Sequence, residues 1–542
     1  MGFMGIVTRN ALRTKEGRNR MKSKLITAHD AVKLIKDGDS IVVGGFVGSG
    51  HPEALTSALE ERFLSESHPK DLKLMFVAGQ GDSKTRGLNH FGNTGMVKRA
   101  IGGHWGLAPK LGKLATAGEL EAYNLPQGVI SHMFRDIAAG KPCTITHVGL
   151  KTFVDPRVEG GKVNSATKED IVTLIDLDGQ EYLKYKHFDI DVALIRGTTA
   201  DEFGNISMEQ EVATLDGLAQ AMATKKKGGI VICQVMRLAR HSGINHLFVE
   251  IPGIFVDYIV VVDMIKNPEL HMQTFGEQYC PYYSGQVAYP EDSLFSPMDM
   301  SIRKLIARRG LFELLPLGQC VVNLGIGMPE GIANVAKEEG VRDRMVLTVE
   351  SGPIGGLPAS GLSFGASYSP LCVLDQPYQF DFYDGGGLDI AFLGAAEIDP
   401  KGNVNVSRFG PKLAGCGGFV NITQNAKRVV YCTTFTADGL KVEAKDGQLN
   451  ILQEGKVKKF VNKVQQITFS AEYACQKGTP VTYITERCIF KLEDDGLHLV
   501  EVAPGIDIEK DILAHMEFKP VIPEQVLKMN PSIFNTEKMG VK

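Results

Sequence analysis

In the stretch RMVLTVESGPIGGLPASGLSFGAS (Arg344–Ser367), an apolar run of Met345, Val346, Leu347 and Val349 ends on a carboxylate, Glu350, and a Gly- and Pro-rich loop follows. In open α/β sheets ligands gather outside the carboxyl ends of strands, so Glu350 can face such a crevice. A free glutamate has a pKa of about 4.3 and is ionised at neutral pH. It can attack an activated carbonyl without a base to deprotonate it. If that carbonyl is a thioester, the leaving thiolate is stable and needs little help from an acid. The competing reading is a helix cap or a partner for a lysine, and position alone leaves the two even.

The same stretch holds GLSFG (Gly361–Gly365), which fits the G-x-S-x-G elbow of serine hydrolases around Ser363. An elbow serine follows its strand directly and turns into a helix. Here the loop SGPIGGLPAS intervenes, no histidine occurs between His271 and His498, and a turn serine is the simpler account.

Glycine-rich turns supply the other candidates. GGFVGSGHPE and NLGIGMPE (with Gly325 and Gly327) both lead into a Pro-Glu helix start, where free N–H groups favour anions. LAGCGGF, with Gly415, Gly417 and Gly418, lets a backbone come close to a ligand. None is a Walker loop or a dinucleotide fingerprint, and no H-x-x-x-H or H-E-x-x-H helix suggests a metal.

These residues need strands and helices to hold them, and the chain shows the plan twice. SIVVGGFVGSGHPEAL and CVVNLGIGMPEGIANVAKE each read strand, Gly turn, Pro-Glu, helix, with Pro52 and Glu53 matching Pro329 and Glu330 at an offset of 277. DVALIRGTTADEFGNIS matches DIAFLGAAEIDPKGNVN at an offset of 198, pairing Asp191 with Asp389, Asp201 with Asp399, Gly204 with Gly402 and Asn205 with Asn403. Two homologous open α/β domains fused in one chain follow, the first carrying an insertion before its D-V-A strand. The expected division is a basic leader over 1–20, an N-terminal domain over 21–285, a linker over 286–299 and a C-terminal domain over 300–542 that carries Glu350. The segment from about Lys510 reads as a surface-wrapping tail.

The totals narrow the class. The chain has 542 residues, 43% hydrophobic, with a net charge of −4. That balance argues against a nucleic-acid surface, and no apolar run is long enough for a membrane span. Nine scattered cysteines without C-x-x-C read as reduced thiols, which points to the cytoplasm.

Taken together, VESGPIGG, GCGGF, NLPQG (Asn124–Gly128), GGFVGSGHPE and the paired Gly-Asn turns resemble family I coenzyme A transferases from about Met21 onward. The single-chain acetate/propionate branch is the nearest likeness. The resemblance implies ping-pong transfer of CoA between short-chain acyl-CoA and free short-chain carboxylates through a glutamyl-CoA thioester on Glu350. It implies Gln127 near the reacting carbonyl, and Gly417 and Gly418 offering N–H groups to CoA or an oxyanion. Asn403 would position the glutamate or the thioester, with Gly325 and Gly327 as further candidates of the same kind. It implies no tightly bound cofactor, CoA thioester as substrate, and a homo-oligomer (dimer or tetramer). Ketoacid-type members often read Glu-Asn-Gly and Gly-x-Gly-Gly-Ala-Met-Asp where this chain has Glu350-Ser351-Gly352 and Gly417-Gly418-Phe419-Val420-Asn421. Short saturated or 2-hydroxy acyl groups are therefore favoured over 3-oxoacids such as acetoacetate. The rivals are a thioesterase or hydrolase working through Ser363 and a non-catalytic acyl-CoA-binding protein.

Overall fold

The computed structural model describes residues 24–240, 243–290 and 297–541. The expected leader, and part of the expected linker, lie outside these residues.

Thr27 accepts a hydrogen bond from the Asp30 N–H at 3.1 Å and starts α1 (Ala28–Val32). Strand β1 (Ser40–Val43) is buried from Ile41 to Val43, as befits a parallel strand covered on both faces. Then come α2 (Glu53–Glu66), β2 (Leu72–Phe76), β3 (Val97–Gly102), β4 (Glu121–Asn124) and α3 (Gln127–Ala138). Next are β5 (Val192–Arg196), α4 (Gly217–Lys226), β6 (Ile230–Val235) and β7 (Tyr258–Val261). These strands form one seven-stranded parallel sheet in the order β7-β6-β5-β1-β2-β3-β4.

The second half repeats the plan. After α5 (Ile302–Leu314) come β8 (Cys320–Leu324), α6 (Gly331–Glu338), β9 (Met345–Thr348), α7 (Gln376–Asp384), β10 (Ile390–Leu393) and α8 (Phe419–Asn425). Strands β11 (Val429–Cys432) and β12 (Val481–Ile484) follow. The parallel centre of the ten-stranded sheet runs β9-β8-β10-β11-β12, and antiparallel strands extend both sides. Its order matches β2-β1-β5-β6-β7 strand for strand.

Register makes the match residue by residue. Ile41, Val42 and Val43 pair with Val192, Ala193 and Leu194, as Val322, Asn323 and Leu324 pair with Ile390, Ala391 and Phe392. Val42 also pairs with Met75, as Asn323 pairs with Thr348. Two residues further along, Val77 and Glu350 occupy equivalent places. The matched Gly-Asn turns are closed alike. Asp201 Oδ1 accepts the Asn205 N–H at 2.9 Å, Asp399 Oδ1 accepts the Asn403 N–H at 3.0 Å, and Gly204 and Gly402 take φ of 82° and 89°.

The insertion expected in the first repeat is present: β3, β4 and α3 lie between β2 and β5. The tail beyond Lys510 is more embedded than expected. Leu527–Lys528 adds a strand to the sheet, Ile533 and Phe534 are buried, and Arg308 donates to the Ile533 carbonyl at 3.0 Å.

Candidate active site

Glu350 stands just beyond β9, at the carboxyl end of the C-terminal sheet. Its Oε2 is buried without a hydrogen-bond partner in the protein. Burial pushes its pKa up to about 7, opposed only by a hydrogen bond from its own backbone N–H. The expectation of an ordinary carboxylate is thereby corrected in direction: burial penalises the charged form and holds the proton to higher pH than in a free glutamate.

Two walls meet at this carboxylate. One is the GCGGF loop. A Cβ placed on Gly418 would lie 3.0 Å from Glu350 Cγ and 3.4 Å from Phe380 Cζ, so any side chain there would crowd the glutamate. The Gly417 position lies 3.6 Å from Gln127 Oε1 by the same measure. The loop is held by the N-terminal repeat. Gly417 N–H donates to Gly103 O at 2.8 Å, Gln127 N–H donates to Gly417 O at 2.9 Å, and Cys416 N–H donates to Asn124 Oδ1 at 3.0 Å. The predicted Gly417–Gly418 pair of donors is thus revised. Gly417 spends its N–H on the other repeat, and Gly418 is the member placed against Glu350.

The other wall is α7. Tyr383 feels the Glu350 charge and donates to Thr348 Oγ1 at 2.9 Å. Asn323, at the Val42-equivalent position on β8, and Gln379 stand close to the same hydroxyl. Asn323 Oδ1 and both amide atoms of Gln379 still lack a well-formed hydrogen bond, as do both amide atoms of Gln376. Each unpaired buried polar group of this kind costs about 1–3 kcal/mol. Asn421 ties the walls together: its Oδ1 accepts the Gly128 N–H at 3.1 Å and its amide donates to both oxygens of Asp384 at 3.0 Å.

Of the residues singled out from sequence, Glu350, Gln127, Gly417 and Gly418 come together. The Gln127 Nε2 is buried and unpartnered, on the face of α3 that meets this loop. Gly325 and Gly327 follow β8, beside β9. Gly325 N–H donates to Phe392 O at 2.8 Å, while a side chain at Gly327 would meet open space. Asn403 is committed elsewhere. Its amide donates to Asp399 Oδ2 at 2.9 Å and its Oδ1 accepts the Ala471 N–H at 2.9 Å, so it works as a turn residue rather than as a partner of Glu350. Ser363 is buried in a turn, 2.8 Å from Thr274 Oγ1 of the other repeat, a packing role rather than a nucleophile's.

The anion-cradle reading of GGFVGSGHPE also fails. The Ala54 N–H at the start of α2 is taken by Gln234 Oε1 at 2.9 Å, and the neighbouring Glu53 carboxylate is engaged by the Gly87 N–H and by His90, each at 3.0 Å. Sequence order hid His104. It approaches the Gly417 loop from the N-terminal repeat, pairing in a bridge with Gly415, and burial lowers its pKa to about 4, so it is neutral at pH 7. Among the described residues no cluster of potential ligands suits a metal ion, and no helix is long and apolar enough to cross a membrane.

The family profile for coenzyme A transferase matches residues 25–262 and 318–510, one segment on each repeat. The chain belongs to the coenzyme A transferase family. It is 43% identical over 518 residues to the acetate CoA-transferase YdiF of Escherichia coli strain K12, covering 95% of this chain and 96% of that protein. The caffeate CoA-transferase of Acetobacterium woodii is 42% identical over 524 residues, covering 96% of this chain and 99% of that protein. A crystal structure of the acyl-CoA transferase YdiF from E. coli O157:H7, described as a thioester complex with CoA, superposes with a TM-score of 0.89 at 41% identity, covering 96% of this chain and 98% of that one. Like other members of the family, this chain is a CoA-transferase, and its substrates are CoA thioesters.

Proposed function

We propose that the chain transfers CoA between short-chain acyl-CoA and free short-chain carboxylates, with Glu350 as nucleophile. The observation that carries this reading is the carboxylate at the end of β9, its Oε2 buried and unpartnered, held against Gly418. The Glu350 carboxylate attacks the thioester carbonyl, the C–S bond breaks, and an acyl-glutamyl anhydride and CoA thiolate result. The thiolate attacks the glutamyl carbonyl, the anhydride C–O bond breaks, and the first carboxylate leaves a glutamyl-CoA thioester. An acceptor carboxylate then attacks this thioester, releasing thiolate and forming a new anhydride. The thiolate attacks the new acyl carbonyl, forming product acyl-CoA and regenerating Glu350. Protons balance without an acid or base at each step. The protein's task is to stabilise successive oxyanions, which suits Gly418 and the free Gln127 Nε2.

Acetate, propionate or butyrate as the carboxylate is supported by the likeness to an acetate CoA-transferase, and the caffeate relative marks how far acyl groups vary between proteins of this similarity. The two repeats serve as two domains sharing one site, with assembly as a cytoplasmic homo-oligomer completing the reading.

The test is to incubate the protein with acetyl-CoA, cleave the thioester with hydroxylamine and map the modified peptide by mass spectrometry. CoA-dependent modification of Glu350, absent in Glu350→Ala, is expected. Transferase turnover surviving in Glu350→Ala removes the assignment.

A further inference from the structure

Among the described residues, three side chains bury both polar atoms of an amide without a well-formed hydrogen bond: Gln220, Gln376 and Gln379, the last lying close to the Tyr383 hydroxyl. Gln376 and Gln379 are both 0% exposed and both belong to α7. Residues 376, 379, 380 and 383 follow helical spacing and share a face. Tyr383 at one end of that face meets the Glu350 environment, and Phe380 meets Gly418. Helical rise places Gln379 roughly 6 Å and Gln376 roughly 10 Å along the axis from Tyr383. The face is therefore a short ladder of unsatisfied amides leading away from the nucleophile. At its far end the Gln376 N–H donates to Leu215 O at 3.0 Å, so the ladder closes against the N-terminal repeat.

We propose that Gln376 and Gln379 are specificity residues that read a neutral hydrogen-bonding oxygen on the acyl group, a hydroxyl or carbonyl beyond the thioester carbon. The inference rests on Glu350 being the nucleophile. The nucleotide end of CoA carries phosphates and needs solvent, so the acyl end is the part of the substrate able to enter a fully buried ladder. An amide can donate and accept, which suits a hydroxyl. A second carboxylate on the acyl group is disfavoured by the acids at the far end. Asp375 accepts from Thr214 Oγ1 at 2.5 Å, and Asp216 accepts from Ser131. A site that leaves amides unpaired with the wrong substrate discriminates strongly against analogues lacking the oxygen.

The test compares butyryl-CoA with 3-hydroxybutyryl-CoA as donors to acetate, in the intact protein and in Gln376→Leu and Gln379→Leu. The intact protein is expected to favour the hydroxyacyl donor at least tenfold in kcat/KM. Each leucine variant should lose most of that preference, its hydroxyacyl-to-butyryl ratio of kcat/KM falling tenfold or more. Asn variants, which withdraw the amide by one methylene, should show the same trend at smaller size, and the wild-type ratio decides the matter if a leucine variant loses its circular dichroism. A wild type that forms the Glu350 thioester with both donors at equal efficiency overturns the inference and leaves the transferase reading intact. Equal losses with both donors in folded variants also overturn it, assigning the amides to packing. No Glu350 thioester with either donor overturns both readings.

Discussion

Glu53, at the start of α2, and Glu350, just beyond β9, each carry a carboxylate into the interior, and their acidities move in opposite directions. Burial alone would raise the pKa of Glu53, but hydrogen bonds from His90 at 3.0 Å and the Gly87 N–H at 3.0 Å, with the nearby histidine charges, outweigh it and lower the pKa to about 2. Around it His51 binds Gln80 Oε1 at 2.6 Å and Thr56 Oγ1 at 2.8 Å, while Gln80 donates to Val43 O at 3.0 Å. Nearly every polar atom there is used. Glu350 has no such company, and burial raises it to about 7. Two repeats of one plan have thus diverged at these two carboxylates: Glu53 is saturated with hydrogen bonds, and Glu350 is left open. Unsatisfied groups cost stability and are kept where a ligand answers them.

The sharpest way to break the comparison is to give the C-terminal repeat its twin's residue. Glu350→Val should lower kcat roughly ten-thousandfold, as expected for a lost nucleophile. Adding Val77→Glu should restore nothing, because Val77 packs in the apolar core of the N-terminal repeat and its strand end meets Gly103, whereas Glu350 meets Gly418. Steady-state rates of the single and double variants check both outcomes.

The two acids should also part company with pH. The nucleophile is the anion, so kcat/KM for acyl-CoA should rise about tenfold per unit below pH 7 and level off above it. A raised carboxyl favours the native protonated form, so its contribution to stability is present below about pH 4.5 and lost as pH rises through about 7. Glu350→Gln should therefore gain roughly 1–3 kcal/mol over the intact protein at pH 8 and almost nothing at pH 5. The lowered Glu53 contributes above about pH 4.5 and loses that contribution as pH falls toward about 2, so Glu53→Gln should destabilise at pH 8. Denaturant melts of both variants at the two pH values separate them.

The smallest effect tests where the repeats remain alike. Asn205→Ala and Asn403→Ala remove the same hydrogen bonds from matched turns. Each should cost about 1–2 kcal/mol. Glu350 thioester formation should stay within about threefold in both variants. A selective loss of that step in Asn403→Ala would return Asn403 to the site.

Much of this was legible in the chain because local chemistry forced it. An Asp that accepts N–H groups two and four residues on, with a glycine at positive φ between, writes the same letters at Asp201–Asn205 and Asp399–Asn403. A carboxylate at the end of an apolar strand announced Glu350 for a similar reason. What stayed hidden depends on docking between distant segments. Nothing local to Gln376, Gln379 or Tyr383 says that α7 faces Glu350. The gap between His271 and His498 concealed His104, supplied from the other repeat. The helix-start reading at Glu53 failed because Gln234, from β6, reached the free N–H first.

The GCGGF loop, clasped by Gly103, Asn124 and Gln127, has a consequence for counting. Duplication of a catalytic domain ordinarily doubles the number of working centres. Here the second copy of the carboxylate position is Val77, and the first repeat lends its backbone to its neighbour instead. Active-site titration should accordingly find one trapped thioester per polypeptide, and two separately purified halves should each titrate to zero.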